Sequence, residues 1–244
     1  MSSQLLSAGR SMRYTIAIFL VLALASCGLC VWLLVRPKTE EKLPKHETHL
    51  AESITAHPVT SEMTRTSTAH SNRPAPTFVL NGTDGKSYSL DTVTRDRPLV
   101  LLFIKYNCPC SETAQPFFNQ LWQGYHEKVA FLGVINADMT KAKAWQADNK
   151  VPFPLLSDPN EAMIQGYEAE HSAYSALITS GGELERLWPG FSKAMLQSLS
   201  QRLAQLTDQQ PADLSIGHAP EEMYSGCPFN WTLGRTKPEE NNKR

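Results

Sequence analysis

The chain has 244 residues, of which 41% are apolar and 19% charged, a length suited to one ordinary domain with appended segments or to two small domains. Its 23 Lys and Arg side chains nearly balance its 24 Asp and Glu side chains, so no broad basic field exists for a nucleic-acid backbone and we expect no nucleic-acid partner. Five cysteines are too few for a disulfide-stapled scaffold, and their odd number leaves at least one of them unpaired.

An uncharged apolar segment near the N-terminus predicts membrane association. Residues 14–35 form an uninterrupted run of 22 uncharged residues after a short leader, residues 1–13, that carries Arg10 and Arg13. A helix of this length crosses a hydrocarbon core of about 30 Å. The basic leader favours a single-pass signal anchor in the cell membrane with the domain outside the cytoplasm, in the periplasm of a bacterium. Two alternatives are a lipoprotein lipidated at Cys27, whose surroundings resemble a bacterial lipobox, and a cleaved, soluble secreted form.

Residues 36–74 have the composition of a flexible linker. They are rich in Thr, Ser, Glu, Lys, His and Pro, and they have almost no periodic apolar positions. Such a segment buries too little surface to offset the entropy lost on ordering. The spacing of its four histidines fits no compact set of metal ligands, so we interpret them as solvated side chains. They are His46, His49, His57 and His70.

Residues 75–206 alternate between predicted strands and predicted helices. The runs at 99–105 and 129–135 are almost continuously apolar, which is typical of strands buried on both faces. Further strands are predicted at 77–80, 87–89, 154–156, 173–179 and 183–188, and helices at 111–126, 141–149, 160–167 and 193–206. This order predicts an α/β fold with a mixed sheet flanked by helices. The tail, residues 207–244, is expected to be mostly irregular.

The sequence Cys108-Pro109-Cys110-Ser111 stands between a predicted central strand and a predicted helix. Open sheets bind ligands and substrates at this end of their strands. Pro109 suits the first helical position, which places Cys108 at the N-cap, where the helix dipole and unpaired N–H groups lower a thiol pKa from about 8.5 toward neutrality. Cys108 is therefore the predicted nucleophile, and the Ser111 hydroxyl is expected to donate to its sulfur.

Cys110 has several interpretations. On a helix, a side chain two residues from Cys108 points about 200° away, so a disulfide between the two requires local unwinding and would be strained and strongly oxidising. Alternatively, the domain is a binding module without redox turnover. It would then hold a client protein or a soft ion such as Cu(I), with the two thiols and His171 as ligands. A third interpretation is that both cysteines are inert buried residues.

The segment around these cysteines resembles the active-site segment of thioredoxin-fold proteins. Residues 99–118, LVLLFIKYNCPCSETAQPFF, combine a hydrophobic strand, Cys108-Pro109 and, eight residues after the cysteine, Pro116. Residues 129–167, which include FPLLSDP, are similar to redoxins of the alkyl hydroperoxide reductase and thiol-specific antioxidant group and its membrane-anchored relatives.

The resemblance covers about residues 75–206 and implies a thioredoxin-like fold. It also implies a thiol-dependent oxidoreductase that acts on a disulfide-containing protein or a hydroperoxide. Such an enzyme depends on an external thiol reductant, and no cofactor is implied.

The sequence departs from these relatives at several positions. Lys105 and Leu101 stand where peroxiredoxins have a Thr or Ser and a Pro ahead of the peroxidatic cysteine. Ser111 stands where dithiol thioredoxins have their second cysteine, and the sequence His-Ser-Ala-Tyr at 171–174 replaces the segment that carries a cis-proline. The Cys-Pro-x-Ser pattern resembles monothiol relatives, which need a thiol from elsewhere.

The tail contains a candidate for that thiol, Cys227. Several redoxin-like proteins look similar in ending with a Gly-Cys pair after the last helix, as Gly226 and Cys227 do here. As a random coil, the segment between residues 206 and 227 spans about 25 Å, enough to reach across such a domain. We therefore expect a Cys108–Cys227 disulfide in the oxidised form, within one chain or between two, the alternative being an incidental thiol. The predicted site residues are thus Cys108, Cys110, Ser111 and Cys227.

Overall fold

A computed structural model of the protein describes residues 57–233. This part of the chain contains seven helices and eight strands. The helices are α1 (Ser61–Ala69), α2 (Leu90–Val93), α3 (Pro109–Tyr125), α4 (Met139–Asp148), α5 (Ala162–Gly166), α6 (Lys193–Thr207) and α7 (Asn230–Leu233). The strands are β1 (Arg73–Pro74), β2 (Val79–Asn81), β3 (Ser87–Ser89), β4 (Leu99–Ile104), β5 (Ala130–Ile135), β6 (Leu155–Ser157), β7 (Ser175–Ile178) and β8 (Glu183–Trp188).

Six of the strands form a mixed sheet in the order β1-β8-β7-β4-β5-β6, and β2 pairs with β3 in a separate hairpin. Strands β4, β5 and β6 are parallel to one another, whereas β7 is antiparallel to both β4 and β8. Every residue of β4 and β5 is buried, as their continuous apolar runs predict for central strands. The predicted α/β fold with a mixed sheet and flanking helices is confirmed, and each predicted element lies within two residues of its observed bounds.

Strand β4 is at the centre of the core because its side chains alternate between the two faces of the sheet. Val100, Leu102 and Ile104 pack in one cluster with residues of α3, α4 and α6. The other three side chains of β4 pack in a second cluster with residues of α1, α2 and α5. The carboxyl end of a strand held on both faces is a rigid place from which to position a reactive side chain.

The interpretation of residues 36–74 as a flexible linker is wrong for their described part. Residues 61–69 form α1, which begins at the N-cap Thr60, whose hydroxyl accepts the Met63 N–H at 3.2 Å. Residues 73–74 add β1 to the edge of the sheet beside β8. Helix α1 buries only Met63 and Ser67, so its apolar pattern is too weak to distinguish it from a solvated segment by composition.

The tail has little regular structure up to α7, as predicted, but it is fixed to the domain rather than coiled at random. Phe229 is fully buried, and Ile216 and Ala219 are nearly so. The hydroxyl of Tyr125 accepts the Ala212 N–H at 2.8 Å and thereby attaches the start of the tail to α3. The treatment of this segment as a random coil is therefore wrong, because a few buried apolar side chains fix it to the domain.

The tail runs beside the segment that precedes α1. Tyr224 forms isolated bridges with both Pro58 and Phe191. Its carbonyl accepts the Phe191 N–H at 2.9 Å, and the carbonyl of His57 accepts the Ser225 N–H, also at 2.9 Å. These bonds hold residues 57–59 and 223–225 side by side.

A buried carboxylate anchors the end of the tail. Glu161 is only 3% exposed, and its carboxylate accepts hydrogen bonds from the side-chain amides of Asn136 and Asn230 and from the Trp231 N–H, at 2.8 to 3.0 Å. We expect Glu161→Gln to lower the free energy of unfolding by about 1–3 kcal/mol, because an amide nitrogen would replace an acceptor oxygen. Urea denaturation measures this, with the exposed Glu183→Gln as control. Equal stability of the two variants would show that Glu161 is no anchor.

Within residues 57–233, no helix has the length and apolarity needed to cross a bilayer. The predicted leader, the predicted span at residues 14–35 and Cys27 lie outside the described residues.

Candidate active site

The candidate site forms where β4 ends and α3 begins. The chain leaves β4 through Asn107, whose φ of 58° lies in the left-handed region that Asn adopts more readily than most residues. Cys108 follows with extended backbone angles (φ −106°, ψ 115°) as the N-cap of α3, and Pro109 is the first helical residue. The predicted position of Cys108 at this junction is confirmed. Its sulfur therefore lies at the positive end of a helix of 17 residues.

The Cys108 sulfur is surrounded by hydrogen-bonding groups. It lies 3.0 Å from the Cys227 sulfur and 3.2 Å from the Ser172 hydroxyl, and it accepts the Cys227 N–H at 3.4 Å. The Cys110 thiol also donates to it. A sulfur–sulfur distance of 3.0 Å is a contact and not a bond, since a disulfide is about 2.0 Å long. The structure thus brings three of the four predicted site residues together, all of them cysteines.

The orientation of Cys110 differs from the sequence-based expectation. The angle of about 200° applies only if both cysteines lie on the helix. Cys108 is the N-cap and has extended backbone angles, so its side chain does not follow the helical period. The Cys110 thiol consequently faces the Cys108 sulfur, and Cys110 itself is fully buried.

The serine that contacts Cys108 is not the predicted one. The Ser111 hydroxyl accepts the Lys105 N–H at 3.2 Å and so ties the loop after β4 to the first turn of α3. Ser172, 64 residues after Cys108, supplies the hydroxyl instead. Sequence reasoning missed Ser172 because no local pattern marks it. The signal available was its place in the 171–174 segment, which replaces the cis-proline segment of related proteins.

The histidine near the cysteines is also not the predicted one. Among the described residues, His57, Cys110 and Cys227 form a group in which one ligating atom of each lies within 4.8 Å of the others. His171, expected as a metal ligand with Cys108 and Cys110, is not part of this group. Its ring stacks on Tyr174, and burial lowers the pKa of His171. The interpretation of His57 as a solvated linker side chain is wrong, since pairing with the tail places it here.

The two contacting cysteines differ strongly in acidity. Hydrogen bonds from Cys110, and then from Cys227 and Ser172, outweigh burial and lower the pKa of Cys108 to about 4. Burial, together with the hydrogen bond to Cys108 and the negative charge on it, raises the pKa of Cys227 to about 11, although the Lys105 ammonium offsets part of this. At neutral pH Cys108 is therefore a thiolate, and Cys227 is a thiol that donates to it.

This difference predicts the pH dependence of thiolate absorbance in the reduced protein. Because the pKa of Cys108 is lowered, its thiolate persists throughout the neutral range and is lost only as the pH falls through about 4. An ultraviolet titration should show this step in the parent protein, and Cys108→Ser should remove it. A Cys108 step near 8.5, the value of an ordinary thiol, would contradict the assignment.

A glycine allows the tail to approach the cysteines. A Cβ atom at Gly226 would overlap the Ser172 hydroxyl and come within 3.1 Å of the Cys110 Cβ. The Gly226 N–H donates to the Ser172 carbonyl at 2.8 Å, and the Ser172 N–H donates to the Cys227 carbonyl at 3.0 Å. The Lys105 ammonium donates to the Pro228 carbonyl at 2.5 Å. These contacts hold the Cys227 sulfur against the Cys108 sulfur.

Residues 71–187 match the profile of the AhpC/TSA family. The matched range contains Cys108, Cys110 and Ser172 but neither His57 nor Cys227. Among curated proteins, none matches the sequence significantly. This part of the chain is therefore similar to the AhpC/TSA family, and two residues of the site lie in the segments that flank the matched range.

Solved structures of similar fold come from several bacteria. A candidate protein disulfide isomerase from Bacteroides thetaiotaomicron is 22% identical, with a TM-score of 0.52 over 57% of this chain and 91% of that one. A candidate thiol:disulfide interchange protein DsbE from Chlorobium tepidum is 22% identical, with a TM-score of 0.51 over 56% and 97%. An uncharacterized conserved protein from Geobacillus kaustophilus is 21% identical, with a TM-score of 0.50 over 68% and 92%. The fold is thus a thioredoxin-like α/β fold.

Proposed function

We propose that the protein is a thiol–disulfide oxidoreductase in which Cys108 is the nucleophile and Cys227 is the resolving thiol. The observation that carries this proposal is the 3.0 Å contact between the two sulfurs. The lowered pKa of Cys108 and the raised pKa of Cys227 give the pair the two protonation states that the reaction needs, an attacking thiolate beside a thiol.

The reaction proceeds by two exchanges. The Cys108 thiolate attacks one sulfur of a substrate disulfide, forms a mixed disulfide and releases the other sulfur as a thiolate. Cys227 gives its proton to a leaving thiolate, attacks the Cys108 sulfur and expels the second substrate sulfur. The substrate is reduced by two electrons, and the protein is oxidised to the Cys108–Cys227 disulfide. An external thiol reductant then returns the two electrons to the protein.

The backbone around Ser172 favours a polypeptide as the substrate. Cys108 is only 1% exposed because the tail covers it, so a substrate has to displace the tail. The displaced segment is itself a peptide with a cysteine, and it is hydrogen-bonded to both backbone groups of Ser172. A disulfide-bearing polypeptide can form hydrogen bonds with the same N–H and carbonyl groups of Ser172, whereas a small hydroperoxide has no peptide backbone with which to do so.

Hydroperoxide reduction is a second candidate, which the AhpC/TSA match over residues 71–187 favours. Here the Cys108 thiolate attacks the terminal oxygen, the O–O bond breaks, and an alcohol leaves after it takes up a proton. The resulting sulfenic acid condenses with the Cys227 thiol, and water is released. The product is the same Cys108–Cys227 disulfide.

A comparison of two substrates distinguishes these candidates. The full-length protein is supplied with dithiothreitol and either a disulfide-bonded polypeptide such as insulin or cumene hydroperoxide, with Cys108→Ser as the control. We expect faster turnover of the polypeptide disulfide, dependent on Cys108. Faster turnover of the hydroperoxide would favour the second candidate. Turnover of neither substrate, or turnover that survives in Cys108→Ser, would overturn the proposal.

We also propose that residues 14–35 anchor the protein in the cell membrane with the domain on the extracytoplasmic side. The 22 uncharged residues after a basic leader support this orientation. A reporter that works only in the cytoplasm should be silent when it is fused after Arg244 and active when it is fused after Arg13. A strong signal from the fusion after Arg244 would contradict the orientation.

A further inference from the structure

Three side chains of types that bind metal ions lie close together beside Cys108, and they come from three separate parts of the chain. His57 precedes α1, Cys110 lies in the first turn of α3, and Cys227 lies in the tail. One ligating atom of each lies within 4.8 Å of the other two. Cys110 is fully buried, whereas His57 and Cys227 are half-buried. Cys110 is therefore the interior ligand of the group, and His57 and Cys227 are the two ligands nearer to solvent.

Backbone hydrogen bonds hold two members of this group, His57 and Cys227, in place. The His57 carbonyl accepts two hydrogen bonds from Ser225, from its N–H at 2.9 Å and from its hydroxyl at 3.3 Å. The Val59 N–H donates to the Met223 carbonyl at 2.9 Å. Because the segments carrying His57 and Cys227 are bonded to each other, neither has to be ordered when an ion binds.

The disulfide cycle leaves part of this group without a role. That cycle needs the sulfurs of Cys108 and Cys227, and it uses Cys110 only as a hydrogen-bond donor. The His57 ring takes no part in the disulfide cycle. An imidazole beside two thiols is, however, a ligand set that suits soft metal ions.

We propose that His57, Cys110 and Cys227 form a three-coordinate site for Cu(I). Thiolates are soft ligands that select Cu(I), and imidazole also binds copper. With metal–sulfur bonds of about 2.3 Å, the sulfurs of a trigonal site lie about 4 Å apart, so the observed group needs shifts of less than about 1 Å.

A four-coordinate zinc site fits the same residues less well. Zinc in structural sites takes four ligands, and Cys108 would have to be the fourth. Among the described residues, the compact group holds His57, Cys110 and Cys227 but not Cys108, so it supplies three protein ligands and not four. Cys108 therefore stays outside the coordination sphere.

Binding of Cu(I) excludes the disulfide because both use the Cys227 sulfur. On binding, the thiols of Cys110 and Cys227 each release a proton, His57 binds as the neutral imidazole, and no electron is transferred. The reduced protein therefore binds Cu(I), and the protein with a Cys108–Cys227 disulfide does not. This metal site goes beyond the proposed oxidoreductase function.

The test is a Cu(I) titration of the reduced full-length protein under anaerobic conditions, in competition with the chromophoric chelator bicinchoninate. We expect one Cu(I) per chain, and X-ray absorption should show two sulfur ligands and one nitrogen ligand. His57→Ala should weaken Cu(I) binding at least about tenfold, and Cys110→Ser should weaken it at least about 100-fold. Loss of a residue that only hydrogen-bonds to a metal ligand already lowers metal affinity about 10- to 100-fold. The exposed His126→Ala serves as the matched histidine control and should bind as the parent does.

Two further variants separate this site from the oxidoreductase. Cys108→Ser should still bind Cu(I) while it loses disulfide exchange. His57→Ala should still form the Cys108–Cys227 disulfide, which shows that it is folded. Loss of Cu(I) binding in Cys108→Ser, unchanged affinity in His57→Ala, or a preference for Zn(II) with four protein ligands would each overturn the proposal.

Discussion

Replacement of Cys108 by serine is expected to abolish disulfide exchange, with a loss on the order of 1,000-fold or more, because a hydroxyl does not replace the attacking thiolate. Cys110→Ser should retain a measurable fraction, about one tenth of the parent activity. Cys110 donates a hydrogen bond that lowers the pKa of Cys108, and a serine hydroxyl is also a donor.

The two variants form a matched pair, since each exchanges one buried sulfur for oxygen two residues apart at the start of α3. Turnover of a polypeptide disulfide by the two proteins is compared at the same concentration and pH. A thermal melt of each protein verifies that both are folded. If Cys110→Ser loses more activity than Cys108→Ser, the assigned roles are reversed.

Substitution of Gly226 by alanine is expected to slow the second exchange by about 100-fold while it leaves the first intact. The added methyl group would overlap the Ser172 hydroxyl and crowd Cys110, so the tail moves away and carries the Cys227 sulfur with it. A misplacement of about 1 Å can cost a factor of 100 in rate. The mixed disulfide between Cys108 and the substrate should therefore accumulate.

Gly217→Ala is the matched control for this experiment. Gly217 lies in the same tail, and a Cβ at its position would have no atom within 4 Å. Mass spectrometry of acid-quenched reactions measures the mixed disulfide in both variants. Cys227→Ser should accumulate the same species, because it lacks the resolving thiol. If Gly226→Ala resolves the mixed disulfide at the rate of Gly217→Ala, close approach of the tail is not needed for turnover.

The part of the site that could be predicted from the sequence is the part built by neighbouring residues. A buried apolar strand, a proline after a cysteine and a helical pattern together predict the position of Cys108 at the N-cap of α3, and that position is observed. The same local reasoning was wrong for the direction of the Cys110 side chain. It treated the N-cap as a helical residue, although Cys108 has extended backbone angles.

The rest of the site depends on contacts between residues far apart in sequence. Ser172 contacts Cys108 across 64 residues, and Ser225 contacts His57 across 168. Backbone groups make most of the bonds that hold these segments together, and such bonds leave little trace in side-chain patterns. Composition therefore placed His57 in a solvated linker and described the tail as a coil. The tail could be assigned a reactive cysteine, but its path between residues 58, 172 and 191 could not be predicted.

Peptide mapping of the oxidised full-length protein without reduction shows which thiol is joined to Cys108. The protein is oxidised, its remaining thiols are alkylated, and it is digested and analysed by mass spectrometry. We expect a peptide containing Cys108 linked through a disulfide to a peptide containing Cys227 of the same chain, with Cys110 alkylated. Finding Cys227 alkylated wherever Cys108 is oxidised, or Cys108 linked to Cys110 instead, would contradict it.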